Sequence, residues 1–204
     1  MQSTRLLAVN ETLRQLSFEL GSGSRELAGH LDAIADLLKV SLDCSRVTLW
    51  LLQRRHPERT LDCTAFSSHS RTLKVSRCAL PQPAVQAYLD ALLASGLLAV
   101  EDVRQAPALA ALDAAYCRPE GVVATLDAAF VVNGQAVGVA CCEQIGQPRR
   151  WLPEEAAVLR RVAQAVTLDL ARVALGVKPE DECSDEVRRL LQALSAAGQG
   201  PHTG

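Results

Sequence analysis

The chain has 204 residues, a formal net charge of -2, and apolar residues at 49% against charged ones at 22%. That balance fits one packed domain with helical extensions. It speaks against electrostatic capture of nucleic acid, because Lys and Arg never run beyond pairs.

No apolar run approaches the roughly 20 residues of a membrane span. Residues 1–10 lack the charged start, apolar stretch and cleavage site of a secretory signal. A cytoplasmic protein without membrane contact is expected. Seven cysteines at 44, 63, 78, 117, 141, 142 and 183 include no Cys-x-x-Cys pair, and no His stands at ligand spacing from any of them. Structural zinc and a disulfide scaffold are therefore not expected, and reduced, mostly buried thiols are.

Leu6, Val9, Leu13, Leu16 and Leu20 recur at alternating spacings of three and four, a seam that either pairs two copies or packs on its own domain. Gly21-Ser22-Gly23 breaks that helix. Ser24 is placed to cap a second, which carries Leu27, Leu31, Ile34, Leu37 and Leu38 on one face. Arg46 to Gln53 reads as a central strand, with its partner at Thr60 to Phe66 beyond the turn at His56 to Arg59. A short strand is expected over Thr72 to Ser76, a helix over Ala84 to about Ala94, and another short strand over Leu97 to Val100. Pro107 suits the first position of a helix reaching Tyr116.

The strongest local signal is Val122 to Val132, Asn133-Gly134, then Gln135 to Glu143. Asn-Gly tolerates positive φ at both turn positions and predicts a two-residue type I′ hairpin. Register counted from that turn places Leu126, Ala128, Phe130, Val137, Val139, Cys141 and Glu143 on one face. Thr125, Asp127, Ala129, Ala136, Gly138, Ala140 and Cys142 fall on the other. Pro153-Glu154-Glu155 opens a long helix whose stripe is Leu159, Val162, Val166, Leu170 and Val173. After Gly176 the acidic stretch from Pro179 to Glu186 precedes a short amphipathic pattern at Val187, Leu190, Leu191 and Leu194, and disorder is expected from Gly198.

This order of elements resembles the GAF domain, a small-molecule sensor module of bacterial signalling proteins and phosphodiesterases. The residues that carry the resemblance are Ala99 to Arg104, Gly121 to Phe130, Gly134 to Glu143, and then Gly146, Arg149, Trp151 and Glu155. It covers roughly residues 24–175. Residues 1–23 then form an N-terminal helix and 176–204 an acidic linker, short helix and tail. Ala129 stands where a proline is common, Gln144 where a histidine is often found, and Leu152 where Thr or Ser usually caps. The Asn-Lys-Phe-Asp-Glu signature of cyclic-nucleotide-binding members is absent, as is a tetrapyrrole attachment motif of the phytochrome type.

The resemblance implies an α+β fold. A central antiparallel sheet of five to six strands has the N- and C-terminal helices on one face, and loops and short helices form a pocket on the other. Pocket candidates are Trp50, Ser67, Asp102, Arg104, Tyr116, Thr125, Asp127 and Cys142, beneath loops around 67–80 and 101–118. Asp102 and Arg104 either recognise a polar ligand or cap a helix. Asp127 either marks a polar hollow or pairs with Arg104 or Arg118. Cys141 and Cys142 point to opposite faces of a strand and cannot chelate one metal jointly.

Glu143 and Arg149 are placed to pair across a loop, and Trp151 to wedge under the closing helix. Among the histidines, His69 alone has a loop position from which to ligate haem, and a solvated loop histidine is the preferred reading. No cofactor and no metal are expected. A non-enzymatic sensor follows, homodimeric through its first and last helices. Its partner is an unknown small molecule, an output domain or a protein. The rival readings are a thiol reductase of the free methionine sulfoxide type using Cys117 or Cys142, and a pure dimerisation module with a vestigial pocket.

Overall fold

The computed structural model describes residues 2–55, 58–68, 77–78 and 82–176. Helices α1 (Gln2–Gly21) and α2 (Leu27–Leu42) precede strands β1 (Arg46–Arg55), β2 (Glu58–Ser68) and β3 (Arg77–Cys78). Helix α3 (Gln82–Ser95) and strand β4 (Leu98–Val100) follow. Then come two 3-10 turns, the helical turn α4 (Ala110–Leu112) and a π-turn at Asp113–Cys117. The hairpin β5 (Val122–Val132) and β6 (Gln135–Ile145) leads to α5 (Pro153–Gly176). The six strands form one antiparallel sheet in the order β3-β2-β1-β6-β5-β4.

Helices α2 and α5 pack on one face of the sheet and α1 lies across both. The core there includes Ile34, Leu38, Leu49, Leu126, Phe130, Leu159 and Val166, all wholly buried. Each such side chain contributes roughly 1.5–3 kcal/mol by leaving water. The opposite face is roofed by α3 and the turns around α4, over a second core of Trp50, Tyr88, Leu92, Leu109, Tyr116 and Val139. No helix among the described residues is long and apolar enough to cross a membrane.

The hairpin forms as its turn predicts, with φ of 50° at Asn133 and 73° at Gly134 and with Val132 opposite Gln135. The register does not continue unbroken. Val131 faces Ala136 but Phe130 faces Gly138, so Val137 is an extra residue in β6. This bulge turns every later β6 side chain to the other face. Val139, Cys141 and Glu143 therefore join Thr125 and Asp127 on the roofed side. Gly138, Ala140 and Cys142 join Leu126 and Phe130 under the helices.

Other expectations are also corrected. Of the α1 seam, Val9, Leu13 and Leu16 are buried in the chain's own core and Leu6 and Leu20 lie half-buried against it, the packing on its own domain that the spacing also allowed. Ser24 does not cap α2; its hydroxyl donates to the Glu19 carbonyl at the end of α1, and Glu26 holds the cap position without a side-chain bond. Pro107 opens a 3-10 turn, and the path to Tyr116 is broken into three short pieces. The strand expected at Thr72 to Ser76 lies outside the described residues, as do His56, His69, His202, most of the 67–80 loop and the sequence after Gly176.

Candidate functional site

Strand alternation builds the roofed face. Along β1, Val47, Leu49 and Leu51 face the helices, so Arg46, Thr48 and Trp50 face the roof. Arg46 is fully buried and directly opposite Glu143 in the sheet. Its Nε donates to Glu143 Oε2, its Nη1 lies 3.0 Å from Glu120 Oε2, and its Nη2 donates to the Tyr116 hydroxyl at 3.0 Å. The Tyr116 hydroxyl in turn donates to Glu143 Oε1 at 2.8 Å. Trp50 Nε1 donates to Thr48 Oγ1 at 2.8 Å, and its ring meets the Tyr116 ring edge-on at 5.4 Å.

Burial opposes the charge on Arg46, but Glu143, Tyr116 and Glu120 around it together outweigh that and raise its pKa. Burial pushes the Glu143 carboxyl up, with Arg46 pulling it back. The Tyr116 hydroxyl is driven well above its ordinary range, first by burial and then by Glu143. A buried ion pair survives only where its remaining lone pairs and protons are satisfied, and here Tyr116 closes the set.

A second cluster lies beside the first. Asp127, in the middle of β5 and 1% exposed, accepts from the Tyr88 hydroxyl at 2.7 Å and from Thr125 Oγ1. The Tyr88 oxygen lies 3.7 Å from Cys141 Sγ. Burial lifts Asp127 to about 7, against the hydrogen bonds from Thr125 and Tyr88. Burial raises the Cys141 thiol well above its ordinary value, and Asp127 adds to that.

Between the clusters lies a cavity of about 20 Å³ lined by Trp50, Leu61, Tyr88, Leu112, Tyr116, Val139 and Cys141. Holding a water takes roughly 10–15 Å³ measured this way, and a ligand pocket some 300–1,000 Å³. The hollow bounded by the described residues is thus of the size of one water. Among those residues no three His, Cys, Asp or Glu side chains are grouped to hold a metal ion.

Of the candidates named from sequence, Trp50, Tyr116, Thr125 and Asp127 come together. Ser67 faces α2 instead, its hydroxyl donating to Asp36. Cys142 lies under the helices in the same core as Cys44, whose thiol donates to the Arg46 carbonyl at 3.4 Å. Asp102 and Arg104 bind each other, with Nε to Oδ1 at 2.7 Å, and Asp102 also caps the 3-10 turn at Val103–Gln105. That exposed pairing, through hydrogen bonds to Arg104, lowers Asp102 to about 2. Arg118 pairs with Asp113 at 2.6 Å rather than with Asp127.

Glu143 does not pair with Arg149. Arg149 donates to the Leu42 carbonyl at 2.6 Å and the Asp43 carbonyl at 2.8 Å, pairs with Glu155 at 2.6 Å, and stacks on Trp151. Trp151 itself is buried and donates to the Val100 carbonyl at 3.2 Å. Arg46, Tyr88 and Glu143 were not singled out for this site from sequence. Arg46 was legible in principle, since Arg46, Thr48 and Trp50 alternate against Val47, Leu49 and Leu51.

A family model described as GAF domain matches residues 26–170. No curated protein matches the chain in sequence. Among solved structures, the PixJ GAF domain of Thermosynechococcus elongatus in its blue-light-absorbing form is similar, with a TM-score of 0.61 at 20% identity over 71% of this chain and 84% of that one. The free methionine-R-sulfoxide reductase of Neisseria meningitidis, solved with its substrate, gives a TM-score of 0.62 at 15% identity over 84% and 93%. The chromophore-binding domain of a Stigmatella aurantiaca bacteriophytochrome gives 0.61 at 15% identity over 81% and 60%.

Proposed function

The chain belongs to the GAF domain family, and from that premise we propose that it is a non-enzymatic regulatory module of cytoplasmic signal transduction. A small molecule or partner acts on the roofed face of the sheet, and the response leaves through α1 and α5, which meet the same helices of a second copy. The observation that carries this reading is the paired polar clusters under the roof. Arg46, Glu143 and Asp127 are each at most 1% exposed. A scaffold gains nothing from them, because packed apolar residues of similar volume serve stability as well or better. Recognition of a polar ligand requires such groups.

The chromophore-binding and photoreceptor domains among the similar structures support a sensory role for this fold. The reductase among them supports weighing a thiol enzyme; the burial of the described thiols speaks for the non-enzymatic reading. Cys44, Cys117, Cys141 and Cys142 are buried, and burial raises half-buried Cys63 to about 12. The Cys44 thiol is lowered, chiefly by its interaction with Cys142, and it is 1% exposed. A reactive thiol needs access as well as a low pKa.

The 20 Å³ hollow favours a second reading, a dimerisation module whose pocket is filled by its own side chains. Native mass spectrometry of protein purified from its own cells separates the two. The first reading expects a dimer carrying added mass that is lost in Arg46→Gln. A dimer of bare chain mass in every preparation overturns it in favour of the second.

A further inference from the structure

Strand β5 outruns its outer neighbour. Strand β4 pairs only with Thr125, Leu126 and Asp127, while β5 continues to Val132. The cause lies at Gly96, where a φ of 68° and an N–H bond to the Leu92 carbonyl at 2.7 Å end α3 and turn the chain into β4 late. Backbone alternation decides which groups face the edge left open. Val132 and Gln135 flank the two-residue turn as a bonded pair, so Val131 and Ala129 turn their N–H and C=O outward. Thr167 of α5 meets one of these, its Oγ1 accepting from the Val131 N–H at 3.2 Å. No residue of β4 stands opposite Ala129.

Beside this edge lies a groove of about 590 Å³, bounded by Gly96, Ala129 and Val131 and by Arg160, Gln164 and Thr167 of α5. Ligand sites run to roughly 300–1,000 Å³. Arg160 and Arg161 are the ionisable side chains that line it among the described residues, so the groove is positive. Arg161 is held by Asn10 at 2.6 Å, whereas Arg160 is exposed and has no carboxylate partner among the described residues. This is a different flank of α5 from the one that meets Ser17 of α1 at Asp169. An open edge is usually blunted by Lys or Pro, but residues 128–132 read Ala-Ala-Phe-Val-Val.

We propose that this edge takes a short extended segment of a partner protein that carries a carboxylate. The segment lies antiparallel to β5, in line with β4, and one of its residues exchanges both backbone bonds with Ala129. That residue's side chain falls on the same face as Ala129, so its neighbours point toward α5. There an Asp or Glu meets Arg160. Main-chain bonds supply the grip, and the charge-assisted pair with Arg160 supplies the selection for acidic segments. The inference goes beyond the regulatory reading and depends neither on the hollow nor on a contact between copies.

The test titrates the ¹⁵N-labelled full chain with two pools of N-acetylated pentapeptide amides. One pool has Glu fixed at the second position and the other Lys, with mixed Ser, Thr and Val elsewhere. The Glu pool is expected to shift the Ala129 amide saturably and to slow its exchange, and the Lys pool to bind at least tenfold more weakly. Arg160→Glu, a surface change, reverses that order. An Ala129 amide already protected in the free chain overturns the inference, and its release on dilution identifies a second copy as the occupant. An equal response to both pools, or no saturable shift at Ala129, also overturns it. None of these outcomes bears on the mass carried in the hollow.

Discussion

At position 138 a side chain of any size is excluded. A Cβ there would sit 2.5 Å from the Trp50 carbonyl oxygen and 2.9 Å from the Phe130 ring. Backbone cannot move aside as a flexible side-chain tip does, so Gly138→Ala should cost about 1–3 kcal/mol. A urea midpoint within error of wild type would contradict that. Asp127 makes a pH-dependent case. Its folded pKa of about 7 lies above the ordinary 3.8, so the folded chain holds that proton more tightly than the unfolded one. Its contribution is intact below pH 4 and is lost as pH rises to about 7, roughly 4 kcal/mol at most from a shift near three units. Urea melts from pH 4 to 8 should show wild type losing stability relative to Asp127→Asn over that window. Parallel curves would place the charge elsewhere.

Among the elements, the helices and the hairpin were legible because each carries a local signal. Asn133-Gly134 fixes its turn by φ alone, and the α5 stripe from Leu159 to Val173 repeats at helical spacing. What the sequence could not show was the bulge at Val137, which no local preference announces. It alone moves Cys142 out of the roofed face and brings Cys141 and Glu143 in. The α1 seam was legible as apolar but silent on its partner, since a heptad pattern is satisfied by another copy or by α2 and α5. Its burial changes the expected effect of mutation. Leu13→Glu with Leu16→Glu should unfold the chain rather than yield a folded monomer, since truncating even one such leucine to Ala typically costs 2–5 kcal/mol. Phe18→Glu with Leu168→Glu should keep the far-UV spectrum and sediment as a monomer at concentrations where wild type is a dimer. Retention of the dimer would remove the outer α1–α5 face from the interface.

Taken as one body, the molecule sets two buried polar clusters on one side of the sheet and its candidate output helices on the other. Tyr116 ties the sides together, because its hydroxyl completes the set around Glu143 and Arg46, and Arg46 opens the strand that runs beneath α2. A module that reports on its hollow must pass a change there through the sheet to α1 and α5. A scaffold has no such requirement. Hydrogen exchange on the full chain, comparing wild type with Tyr116→Phe, tests this most directly. The account predicts altered protection in residues 2–21 and 153–176 as well as in the strands bearing the cluster. Changes confined to residues 113–117 and to β1, β5 and β6 would contradict it.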